Sequence, residues 1–155
     1  MNLTLLLICI VICELAGAMG SIFNFKSLPS WYKKLKKPSI NPPNWIFGPV
    51  WTLLFALMGI SLYLFIMAGA SMNSPAGLLF ILQFLLNIAW SGIFFYLRKP
   101  GYAFIEIFFL WISILATILL FYPISKTASL LFLPYLLWVS FASILNFLVW
   151  KLNKK

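Results

Sequence analysis

The chain has 155 residues, of which 64% are hydrophobic and only 8% charged. A soluble domain carries roughly a quarter charged residues, so this composition excludes a water-soluble fold and leaves a polytopic membrane protein. Histidine is absent, the acids number two (Glu14 and Glu106) and the net charge is +9. This removes the usual zinc ligand and general base and leaves no material for paired-carboxylate catalysis. No metal site is expected.

A helix needs roughly 20 mostly apolar residues to cross a bilayer. Five segments qualify: residues 3–23, 46–68, 77–97, 102–122 and 130–150. The expected fold is therefore all-α, a single domain over residues 1–155 built as a five-helix transmembrane bundle.

The first span is interrupted only by Glu14. No Lys or Arg precedes it, which favours a retained span over a cleaved leader. Cys9 and Cys13 share one helix face, with near-parallel Cβ vectors that suit a disulfide poorly, so they read as structural thiols. Ala16, Gly17, Gly20 and Ser21 form two small-residue pairs four apart, a weak signal for close helix approach. Residues 24–45 form the only long connector. Its Pro, Trp and Tyr content predicts a stiff lid rather than a disordered linker.

The second span opens with Phe47, Trp51 and Phe55 at steps of four, one aromatic stripe that serves either bundle packing or a pocket wall. Pro49 starts or kinks this helix. The third span carries Gln83, Asn87 and Ser91 on one face, with Trp90 beside them. A polar stripe avoids lipid and faces the bundle, for helix–helix hydrogen bonds or for a pocket. In the fourth, Glu106 is expected to reach Arg98 or Lys99, and Trp111 to pack or to meet lipid. The fifth places Tyr135, Trp138 and Ala142 on one face, with Asn146 a turn beyond. Trp31, Trp45 and Trp150, at span ends, suit the aromatic belt of a membrane interface. Glu14, near mid-span, is costly in lipid and counts as a functional candidate.

Basic residues give the orientation. Lys26, Lys33, Lys34, Lys36 and Lys37, then Arg98 and Lys99, then Lys151, Lys154 and Lys155 fall on one side of a five-span protein, and only Lys126 falls on the other. The positive-inside rule puts the lid and the C-terminus in the cytoplasm and the N-terminus outside. Membrane topology thus accounts for the positive charge, and no nucleic-acid partner is expected.

Three motifs now stand in order along the chain. The first runs from Trp31 and Tyr32 through Leu35, Lys37, Pro38, Pro42, Pro43 and Trp45 to Gly48, Pro49, Val50 and Trp51. The second is Gln83, Leu86, Asn87, Ala89 and Trp90, followed by "IFF" at Ile93 to Phe95. The third is Pro134, Tyr135, Leu136, Trp138, Phe141, Ala142, Leu145, Asn146 and Trp150. On these residues the chain resembles the translocator protein family, also called tryptophan-rich sensory proteins or peripheral-type benzodiazepine receptors, over nearly its whole length.

The resemblance implies a five-helix bundle in the plasma membrane of a bacterium, commonly a homodimer. It implies one pocket for porphyrins such as protoporphyrin IX and for benzodiazepine-type or isoquinoline carboxamide ligands, closed by the first loop. The matching wall residues are Tyr32, Pro42, Phe47, Trp51, Phe55, Asn87, Trp90, Trp138 and Ala142. Porphyrin is then a ligand or substrate, not a resident cofactor. Trp51 and Trp138 are expected to stack on it, Asn87 to donate a hydrogen bond, and the loop lysines to meet its carboxylates. The alternative readings are light-dependent porphyrin breakdown, with Trp51 and Trp138 as the redox-active pair, and transport. Animal members carry a Tyr-containing sterol pattern at the end of span five. Phe147 stands at that Tyr here, which puts sterol binding in doubt.

Overall fold

A computed structural model of the protein describes residues 2–154. Helices account for nearly all of it. α1 spans Leu3–Ser27, α2 Asn44–Met67, α3 Pro75–Ser91, α4 Pro100–Phe121, α5 Lys126–Leu130 and α6 Leu133–Asn153. Five helical stretches are long and apolar enough to cross a membrane: Leu3–Tyr32, Asn44–Met67, Pro75–Tyr96, Pro100–Phe121 and Lys126–Asn153. The protein is an integral membrane protein with an all-helical fold.

Local sequence explains where the helices start. The Asn2 side chain accepts from the Leu5 N–H, and Ser74 and Ser125 do the same for the N–H groups of Gly77 and Ala128. Each satisfies one of the donors that a helix start leaves free. Pro75 and Pro100 occupy first-turn positions, where no N–H is needed. Gly69, at φ +79°, takes the left-handed conformation just past α2.

The first crossing is longer than its apolar run suggests. The expected loop over residues 24–45 is mostly helix: α1 continues through Ser27 into a π-helical turn at Leu28–Tyr32. Pro29 lies within that turn and cannot donate to the carbonyl four residues back. The widened turn absorbs the missing bond instead of ending the helix, and the Ser30 hydroxyl donates to the Lys26 carbonyl at 2.6 Å. The irregular connector is thus confined to residues 35–43. A second π-helical turn, Gly92–Tyr96, ends α3 beside the first. The buried Ser27 hydroxyl donates to the Phe95 carbonyl at 2.6 Å and joins the two turns.

α1 packs on α2 and α3, α3 on α4, and α4 on α6. The α1–α2 seam is tight because Gly59 faces the Ile10 backbone, where an added Cβ would lie 2.5 Å from the Ile10 Cα. At the end of the bundle away from the loop, Phe65, Phe80, Phe121 and Phe132 form a closed aromatic cluster, with Phe65 and Phe121 stacked at 4.4 Å. Cys9 and Cys13 are buried free thiols. Trp111 ties α4 to α6 through a 2.8 Å bond to the Ser140 hydroxyl. Glu106 does not act as expected at its end of α4: both carboxyl oxygens are buried without a hydrogen-bond partner, so neither Arg98 nor Lys99 is paired with it. Arg98 and Lys99 are exposed, and Lys99 lies over the Tyr102 ring instead.

Candidate functional site

The other half of the bundle is hollow. A cavity of about 630 Å³ lies between α1, α2, α3 and α6 and reaches the 35–43 connector. α4 contributes nothing to its wall. The aromatic stripe of α2 forms one side. The Trp51 ring stacks on Phe55 at 5.5 Å and meets Tyr135 edge-on at 6.1 Å. Phe47, a turn nearer the connector, meets Trp138 edge-on at 5.8 Å. Gly17 on α1 makes room for this stripe, since a Cβ there would lie 2.2 Å from the Phe55 ring.

Eight of the nine expected wall residues line this one cavity: Tyr32, Phe47, Trp51, Phe55, Asn87, Trp90, Trp138 and Ala142. Pro42 does not. It lies in the connector with its carbonyl accepting from Asn41 Nδ2 at 3.0 Å, and Asn41 takes the place on the wall. The exchange follows from the chemistry of the two side chains. Pro fixes the turn but offers no polar atom, whereas the Asn41 Oδ1 accepts from the Tyr32 hydroxyl at 3.2 Å and is drawn inward.

Polar atoms on the wall sort into spent and free. Asn87, the expected donor to a ligand, lines the cavity and gives one of its two amide hydrogens to the Tyr135 hydroxyl at 2.9 Å. Trp90 Nε1 donates to Asn146 Oδ1 at 2.9 Å, and Asn146 Nδ2 donates to the Pro100 carbonyl at 2.7 Å. These bonds brace α3, α4 and α6 around the cavity. Trp138 Nε1 is different, being buried without any acceptor. A buried N–H left unmade costs about 1–3 kcal/mol. Gln83, expected on the same stripe as Asn87, lies below the cavity with its amide near the Met58 sulfur at 3.9 Å.

The loop lysines do not enter the wall. Their stems end at the bundle surface. Lys37 comes nearest, with Nζ 4.5 Å above the Tyr32 ring at the mouth. The π-helical turns, by contrast, are part of the wall, through Leu28, Tyr32, Phe94 and Phe95. No periodicity rule signals them, although Pro29 and Gly92 mark where they begin. The Trp31 ring meets Phe94 edge-on at 5.8 Å, which fixes it against this second turn.

Comparison with known proteins settles the family. The TspO/MBR family model matches residues 9–151. The chain belongs to the TspO/MBR family. It is 45% identical over 150 residues to the tryptophan-rich protein TspO of Chlorobaculum tepidum, covering 96% of this chain and 95% of that one. It is 43% identical over 153 residues to the protein of the same name in Archaeoglobus fulgidus, covering 99% of each. Against the human translocator protein it is 38% identical over 139 residues, covering 87% of this chain and 82% of that one. The three motifs that line the cavity of this TspO/MBR protein all fall within the matched segment.

Proposed function

We propose that this TspO/MBR protein is a membrane sensor that holds a flat aromatic ligand, of which protoporphyrin IX is the model, in the cavity between α1, α2, α3 and α6. Relatives named tryptophan-rich sensory protein, from Cereibacter sphaeroides, and translocator protein, from Homo sapiens, support the general role. The ligand class rests on one observation, the pair of large indoles Trp51 and Trp138 lining one cavity walled mainly by aromatic and apolar side chains. A volume of about 630 Å³ falls within the range of small-molecule sites, about 300–1,000 Å³. Indole faces stack well on a planar macrocycle. Lys37 at the mouth suits a propionate. Benzodiazepine-type and isoquinoline carboxamide ligands, flat aromatics with a carbonyl, fit the same description and should compete.

Purified protein in non-ionic detergent, titrated with protoporphyrin IX in the dark and followed by Trp quenching, tests this reading. Trp51→Ala and Trp138→Ala should each weaken binding by roughly tenfold, the loss of one good aromatic contact. Unchanged titrations for both would sink it. The presence of two oxidisable indoles on one wall favours a second reading, light-dependent breakdown of the bound porphyrin. Mass analysis of the pigment after illumination decides that question. Destruction that is equally fast in Trp51→Phe and Trp138→Phe would exclude an indole role. We further propose the orientation given by the basic residues, with the connector facing the cytoplasm. The structure holds Lys36 against Asn153, which brings two of the three basic regions to one end. The exposed apolar ridge of α1, Leu7, Val11, Leu15 and Ile22, is proposed to meet lipid or a second copy in a homodimer.

A further inference from the structure

The wall that α1 gives the cavity differs in chemistry from the walls facing it. Glu14, Ser21 and Asn24 line the cavity from α1, at spacings that share one helical face. The Ser21 hydroxyl donates to the Ala18 carbonyl at 2.7 Å, so it offers the cavity only lone pairs. Asn24 also lines the cavity; its Oδ1 is buried with no donor, and its amide still carries two N–H groups. Glu14 is the one charged residue on the whole wall, and no basic side chain shares the wall with it. An ionised carboxylate only accepts. Across the cavity no wall residue carries a charge of either sign.

Glu14 and Lys37 are separated in depth. Glu14 precedes Tyr32 by 18 residues, roughly 27 Å along a helix at about 1.5 Å per residue. Tyr32, with Lys37 above it, marks the cationic mouth, and Glu14 marks the inner, anionic end. Phe55 packs on Gly17, about one helical turn from Glu14, and Trp51 stacks on Phe55. A ring lying on that stack therefore has its inner edge about one turn from the carboxylate. A carboxyl group at this depth in a bilayer is costly unless something meets it.

We propose that Glu14 is a specificity-determining residue that selects, within this cavity, flat aromatic ligands carrying a protonated amine on a short tether directed at the inner end. The proposal rests on the cavity being a ligand site, and its test keeps the two apart. The probes are dansylcadaverine, which bears a protonated alkyl amine, and its neutral N-acetyl derivative with the same chromophore. Both are titrated into the full-length protein in non-ionic detergent, with protoporphyrin IX as a separate ligand. Wild type should prefer the amine by about tenfold, the value of one partly buried charge pairing. Glu14→Gln should bring the preference below about twofold while the N-acetyl probe and protoporphyrin IX bind within about twofold of wild type. Glu14→Asp should retain most of it. A preference unchanged in Glu14→Gln overturns the proposal. So does an equal loss of both probes with a lowered melting temperature, which marks a structural role. Wild type that binds protoporphyrin IX with no amine preference overturns the Glu14 assignment alone, whereas failure of all three ligands overturns the cavity reading beneath it.

Discussion

The connector over the cavity is held by a clasp that can be cut with one substitution. Asn153, at the end of α6, accepts from the Lys36 N–H at 3.0 Å and donates to the Lys36 carbonyl at 2.9 Å. One amide side chain thus pairs with both backbone groups of a residue 117 positions away, as a neighbouring strand would. The bonds are exposed, so each contributes at the low end of about 0.5–1.5 kcal/mol. Together they stabilise the closed connector by about 1–2 kcal/mol, a five- to thirty-fold change in the open population at about 1.4 kcal/mol per tenfold. Asn153→Ala removes both bonds. Tryptic cleavage after Lys36 reads the opening, because cleavage of a transiently opened segment follows the open population when reclosing is fast. Asn153→Ala should be cut about five- to thirty-fold faster than wild type, with little change in the melting temperature of the bundle. Asn153→Asp keeps the acceptor but loses the donor and should be cut at an intermediate or faster rate. Equal cleavage rates for wild type and Asn153→Ala would refute the clasp.

Three further outcomes follow from the packing. Gly59→Ala places a Cβ 2.5 Å from the Ile10 Cα, and since backbone must move it should cost about 1–3 kcal/mol, read as a lowered melting temperature in detergent. Gly17→Ala meets only the Phe55 ring, at 2.2 Å; it should push that ring into the cavity and weaken protoporphyrin IX binding several-fold, more than it lowers the melting temperature. Trp90→Phe leaves the buried Asn146 Oδ1 without its donor and should destabilise by about 1–3 kcal/mol, whereas unchanged melting would show that the α3–α6 brace contributes nothing.

Much of this architecture is legible in the sequence because lipid imposes so few solutions. The uncharged runs give the crossings, and the steps of four in Phe47–Trp51–Phe55 and in Asn87–Ser91 give the faces that meet. Periodicity names a face but not the partner across it. It therefore leaves Asn87 between helix–helix bonding and a pocket, and the fold gives it both, a bond to Tyr135 and a place on the cavity wall. The apolar run stops at residue 23 and so ends the first helix too early, because it does not foresee that a π-helical turn carries the helix past Pro29 to Tyr32. Pro42 and Asn41 are adjacent, and only the Tyr32 hydroxyl bond decides which one faces inward. The motifs carry the family, and the cavity gives those motif residues a common surface.

A crystal structure of the complex with protoporphyrin IX, grown in the dark, tests the central claim most directly. The account predicts the macrocycle inside the bundle, in contact with Trp51 and Trp138. A pigment bound on the outer surface, such as the shallow apolar groove between α3 and α4 formed by Leu82, Leu86 and Phe109, with the space between Trp51 and Trp138 unfilled, would contradict it.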